Sequence, residues 1–126
     1  MAEFLTVQDV LSLHAAQVEL YGGHHGVRDM GLLESAVAQP QATLGGVYCH
    51  EFPFAMAAAY LFHIVRDHAF LDGNKRAGLV AALVFLDLNG VEIDAPAGSL
   101  HDLTISVAIG QAGKDEVAEF LRSHAR

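Results

Sequence analysis

Two apolar segments, residues 52–65 and 77–86, occupy the centre of this 126-residue chain with only a short polar run between them. Neither is long enough to span a membrane. Both are too apolar for a surface helix, so they read as two central helices of a buried core. The junction between them is the most constrained place in the sequence. It carries the run HAFLDGNKR, residues 68–76, which sets an imidazole, a carboxylate, an amide, an ammonium and a guanidinium within nine positions.

The segment after the junction closes with Asn89-Gly90, a helix-stop pair. Asp72-Gly73-Asn74-Lys75-Arg76 is therefore the expected first turn of a buried helix running to residue 89. The first backbone N–H groups of a helix lack intrahelical acceptors, and together with the helix dipole they present an anion site. Lys75 and Arg76 add two charges, and Gly73 lets a ligand approach the backbone. His68 is the one side chain of the run whose ordinary pKa lies near neutrality, which suits proton transfer. Asp72 supplies a hard oxygen suited to Mg²⁺. An anion cradle beside a base and a cation-binding carboxylate describes phosphoryl or nucleotidyl transfer. Plainer roles compete: Asp72 as an N-cap worth about 1 kcal/mol, Arg76 paired with Asp72 as a surface bridge, and Phe70 as a buried anchor.

The formal charge of −8, from 15 acidic against 7 basic residues, makes a nucleic-acid backbone a poor direct partner. Yet Arg66, Lys75 and Arg76 cluster within eleven positions, at the proposed anion site. Apolar residues at 52% and charged ones at 17% describe a packed globule, and the length suits a single domain over 1–126. Cys49 is the only cysteine, which excludes an internal disulfide and fits a reducing compartment. With no basic, apolar leader at residue 1 and no membrane span, the expected location is cytoplasmic.

Along the chain, Thr6 is an expected cap for a helix with Val7, Val10, Leu11, His14, Val18 and Tyr21 at helical spacing, stopped by Gly22-Gly23. A glycine- and histidine-rich loop comes next, with His24-His25 expected in solvent. Asp29 caps a second helix ending near Pro40. Residues 41–52, with Gly45-Gly46, are the best candidate for a flap, and Pro53 opens a third helix. Residues 91–94 read as a brief extended piece. Ser99 or Asp102 is the expected cap of a fifth helix reaching Ile109, and residues 116–122 form a last short one. The predicted fold is a compact all-α bundle of about six helices around a central buried helix.

The run HAFLDGNKR resembles the signature of the Fic/Doc family, and within it the Doc (death-on-curing) toxin branch. Tyr21-Gly22-Gly23, with Gly26-Val27-Arg28-Asp29-Met30-Gly31-Leu32-Leu33-Glu34-Ser35-Ala36 after it, is similar to the family's N-terminal block. Residues 81–86 with Asn89-Gly90 are similar to the segment C-terminal to the family's motif. The resemblance implies a six-helix core, Mg²⁺ with ATP as substrate, and modification of a hydroxyl on another protein. It makes His68 the base, Asp72 the Mg²⁺ ligand, and Gly73, Asn74, Lys75 and Arg76 the lining of an anion hole. Arg66 matches an arginine of the Doc branch and is expected to contact phosphate.

AMP-transferring Fic proteins carry a pattern close to HxFx(D/E)GNGRxxR. Here Lys75 stands in place of the pattern's second glycine and Leu79 in place of its final arginine. In the Doc branch such changes accompany a reversed nucleotide, so the resemblance implies phosphoryl transfer, with elongation factor Tu as target and translation arrest as outcome. Many Fic-type proteins also carry an inhibitory (S/T)xxxE(G/N) motif. No glutamate of this chain is followed by glycine or asparagine, so a brake of that kind is expected in trans, from an antitoxin. The alternatives are an AMP transferase of the Fic type and a catalytically silent antitoxin-binding module.

Overall fold

A computed structural model of the chain describes all 126 residues. Its six helices are, in order, α1 (Val7–Tyr21), α2 (Met30–Ala38), α3 (Phe54–Asp67), α4 (Asn74–Leu88), α5 (Ser99–Ala108) and α6 (Lys114–Ser123). The all-α bundle expected from the sequence is what forms. The one sheet is a short hairpin of β1 (Thr43–Leu44) and β2 (Val47–Tyr48), turning at Gly45-Gly46 in the segment expected as a flap.

Local chemistry sets most helix ends. Thr6 and Asp9 form a reciprocal capping box at the start of α1, and Asp29 accepts from the Leu32 N–H at the start of α2. Three starts differ from expectation. Helix α4 begins at Asn74, because Gly73 takes the left-handed N-cap position, so Asp72 and Gly73 precede the first turn. Helix α5 begins at Ser99 after a left-handed Gly98, so neither Ser99 nor Asp102 is its cap. Helix α6 begins at Lys114, where Glu116 reaches back to the Gly113 N–H.

Helix α3 is the more enclosed of the two central helices. It packs against α2, α4, α5 and α6, and residues 56–61 with Ile64 and Val65 are buried. Its alanines at 57, 58 and 59 allow close approach. On α4, Gly78 does the same: a Cβ there would lie 2.6 Å from Val65 Cγ2 and 3.0 Å from the Leu61 carbonyl oxygen. The core is one contiguous cluster of 23 residues drawn from all six helices. The N-terminal segment is tied down where the Leu5 N–H donates to the Tyr60 hydroxyl at 2.9 Å, and burial pushes that phenol up to about 12. At the other end, an Ile93–Ala125 bridge joins the brief extended piece to the C-terminus. No helix is long and apolar enough to cross a membrane.

Candidate functional site

The turn between α3 and α4 is built by two segments far apart in sequence. Residues 22–29 lie against residues 67–72: the Arg28 and Asp29 N–H groups donate to the Ala69 carbonyl, the Leu71 N–H donates to Gly26, and Val27 bridges Phe70. Arg28 Nε donates to the His68 carbonyl at 2.8 Å. The glycines of the first segment leave room for this contact. A Cβ on Gly23, at φ +117°, would meet Asp72 Oδ2 at 2.6 Å, and one on Gly26 would meet Leu71 at 2.9 Å. The start of the family-like N-terminal block and the HAFLDGNKR run thus meet in one structural unit.

Asp72 sits at the mouth of this unit. Its carboxylate accepts from the His24 N–H at 3.1 Å and the Gly73 N–H at 2.8 Å. Those two donors, His24 first, hold its pKa below the usual carboxylate range. After Asp72, the first intrahelical bond of α4 runs from the Ala77 N–H to the Gly73 carbonyl at 2.9 Å. The N–H groups of Asn74, Lys75 and Arg76 therefore open outward, and no acidic residue stands in the first turn to absorb their field.

These groups face a cleft of about 540 Å³. Asp72, Gly73, Asn74, Lys75 and Arg76 form one wall, with Leu79 one turn further along α4. The opposite walls come from α1, through Gln17 and Tyr21, and from α5, through His101, Thr104 and Ile105. Arg76 Nη1 donates to the Gly22 carbonyl at 2.9 Å and its guanidinium lies 5.8 Å from the centre of the Tyr21 ring. That leaves most of its five donors unspent. The pairing of Arg76 with Asp72 as an ion bridge does not form.

Asn74 is among the residues lining the cleft. Its side chain closes a ring on the turn, accepting from the Phe70 N–H at 3.0 Å and donating to the Phe70 carbonyl at 3.1 Å. Phe70 is 1% exposed, as an anchor should be. Arg66 stands apart from the cleft residues. Its guanidinium donates to the Val107 carbonyl at 3.2 Å, at the C-terminal end of α5, and does not line the cleft. Its position on α3 points it at that helix end, whose free carbonyls attract a cation.

His68 ends α3 in the left-handed region, at φ 50°, the one non-glycine residue with positive φ. Such strain at a turn costs free energy and persists where the surroundings impose it, here through Arg28 and the bonds to Ala69. The imidazole is exposed and lies outside the cleft walls. It follows Asp67, whose carboxyl burial pushes up against the opposing pull of His68.

The α1 and α5 walls are not visible in the sequence. Helical spacing puts Tyr21 in an apolar stripe, yet it is 68% exposed; nothing in the α5 segment distinguishes His101 or Thr104. His24 is exposed, as the loop composition predicts, and its backbone N–H holds Asp72.

Comparison with known proteins adds an independent line. The profile of the Fic/DOC family matches residues 4–86. The chain is 40% identical over 127 aligned positions to the Toxin Doc of Mycolicibacterium smegmatis, covering 99% of this chain and 95% of that protein. It is 36% identical over 119 positions to the Protein kinase doc of Escherichia phage P1, covering 94% and 92% respectively.

Proposed function

The chain belongs to the Fic/DOC family, and from that premise we propose that it is the toxin of a toxin–antitoxin pair, a cytoplasmic, ATP-dependent protein phosphotransferase. One observation carries the choice of phosphoryl over AMP transfer. Lys75 and Leu79, the two departures from the AMP-transferring pattern, both line the cleft at the α4 N-terminus. A lysine there adds charge where the glycine of that pattern leaves space, and a leucine withholds a contact to distal phosphates.

The phosphates of ATP lodge against the outward N–H groups of Asn74, Lys75 and Arg76, with the Lys75 ammonium and the free donors of Arg76 closing around them. Asp72 fits a Mg²⁺ ligand: its carboxylate is kept ionised by two N–H donors, lines the cleft, and retains lone pairs beyond those bonds. A single carboxylate suits an ion held mainly through substrate phosphates and water, and when bound that ion neutralises charge building on the phosphoryl oxygens. His68 takes the proton from the target hydroxyl. The hydroxyl oxygen then bonds to the γ-phosphorus as the bond to the β–γ bridging oxygen breaks, and ADP leaves. Stabilisation of the transferred group is the largest contribution asked of the site, so fixed donors matter more here than unusual reactivity.

The implied target is elongation factor Tu, with translation arrest as the outcome. The brake is an antitoxin segment that folds on binding into an apolar groove beside the active site, covering Arg76 or its phosphate path, since a segment that orders on binding covers a large surface and is removable by proteolysis. The reading is tested by incubating the protein with Mg²⁺, ATP and elongation factor Tu and measuring intact masses. The gain of one phosphoryl group is the expected result; an adenylyl gain moves the chain to the AMP-transferring branch. Expression alone should arrest growth, and co-expression of the neighbouring open reading frame should restore it. Normal growth with well-folded, inactive protein would make it a silent binding module.

A further inference from the structure

Beneath the α3–α4 turn, one buried side chain of α1 touches three consecutive features of the site. His14 is 3% exposed. Its ring lies flat on Phe70, with centroids 3.7 Å apart and planes 5° from parallel. Its Nε2 is 2.7 Å from the backbone oxygen of Asp72. The acceptor is a carbonyl, so Nε2 carries the hydrogen and donates. Gly73 packs on the same ring, since a Cβ there would stand 3.4 Å from Nε2 and 3.6 Å from Cδ2.

We propose that His14 is a positioning residue, whose hydrogen bond sets the Asp72–Gly73 peptide and through it the direction of the Asp72 carboxylate. This deepens the proposed function, since it rests on that carboxylate serving a Mg²⁺–ATP site. The alternative is a core histidine that merely fills space. Burying an imidazole costs free energy that a phenylalanine stacked on Phe70 would not, and the gain is this one bond to Asp72. Asp72 is then held on two sides. The His24 and Gly73 N–H groups fix its carboxylate, and His14 fixes its backbone. Gly73 is in addition the left-handed cap from which α4 starts, so the same bond also sets where the anion-facing N–H groups point. Groups that orient a metal-binding side chain typically change metal affinity or activity about 10–100-fold when removed.

Two substitutions separate positioning from packing. His14→Phe keeps the aromatic stack and loses the donor; His14→Gln keeps a donor and loses the stack. Packing alone ranks His14→Phe nearest wild type. Positioning ranks His14→Gln nearest in activity, with His14→Phe showing about a tenfold higher Mg²⁺ requirement and a lower kcat. The KM for the protein target should be unchanged in both. Hydrogen exchange of the Phe70, Leu71 and Gly73 amides, read by NMR without ATP or Mg²⁺, should accelerate in His14→Phe and remain near wild type in His14→Gln. A His14→Phe protein with wild-type Mg²⁺ dependence and wild-type exchange overturns the inference. If His14→Phe does not fold, His14→Gln decides: its activity and exchange must stay within about threefold of wild type, a much smaller change than removing an orienting group brings. If the wild-type protein transfers nothing, the functional reading fails by itself. The exchange rates still judge His14, because they need neither nucleotide nor transfer.

Discussion

Helices α4 and α6 both begin with a lysine in the first turn and histidines close by, yet only one of them opens a site. At α6 the N-terminal field is absorbed. Asp115 and Glu116 stand in the first turn, and Glu116 accepts from the Gly113 N–H at 2.9 Å. Lys114 is consumed as well: its ammonium donates to the Nε2 atoms of His50 and His63, each at 3.2 Å, and lies over the Phe62 ring. Both caps are glycines, but at α4 the first turn holds no acid and Lys75 is exposed beside a cleft. A helix N-terminus with a cation is thus common material. What makes a candidate site is donors left unspent and facing a cavity.

Breaking the α4 side of the comparison should have the largest effect. His68→Ala should lower transfer by about 10²–10⁴-fold, the usual contribution of a positioned base, with the thermal midpoint unchanged because the side chain is exposed. Wild-type rates in that variant would remove His68 from the mechanism. Next comes Gly23→Ala, which drives a methyl group into Asp72 Oδ2 at a position of φ +117°. We expect about a tenfold loss of transfer from displaced Asp72, in the range seen for groups that orient a metal ligand. We also expect about 1–3 kcal/mol of lost stability from backbone strain. Steady-state kinetics and denaturant titration check the two separately.

The α6 side should answer to pH rather than to nucleotide. Burial first, then Lys114 and His50, lower the His63 pKa from 6.5 to about 4, and His50 is lowered by burial and Lys114. The folded protein therefore refuses protons that the unfolded chain accepts. Stability from these groups is complete above about pH 6.5 and is lost as pH falls toward 4. His63→Gln should flatten that acid limb in melts across this window while leaving transfer at pH 7 unchanged. The smallest effect is expected from Glu116→Ala, which removes the α6 cap: about 0.5–2 kcal/mol of stability, with no phosphate affinity appearing at α6. Asp115 and the engagement of Lys114 by His50 and His63 remain in that variant; phosphate bound at α6 in the wild-type protein would overturn the absorbed-field explanation.

The readability of the sequence divides along the same line. Thr6, Asp29 and the Asn89-Gly90 stop are legible because a cap acts on neighbours three or four residues away. HAFLDGNKR is legible because its groups are consecutive. For Arg66 the family resemblance implies a phosphate contact, while its hydrogen bond to the end of α5, 41 residues away, is something no local pattern encodes. The ring that the Asn74 amide closes on the two backbone groups of Phe70 is likewise not written in the spacing. The cleft walls on α1 and α5, and the meeting of His50, His63 and Lys114, arise only when the bundle packs.

The role proposed for the α4 N-terminus is to hold ATP for transfer of its γ-phosphoryl group. The direct test incubates the protein and elongation factor Tu with ATP labelled at either the γ- or the α-phosphate and measures label on the target. We expect label from γ-labelled ATP alone, absent with His68→Ala. Label from α-labelled ATP would contradict it.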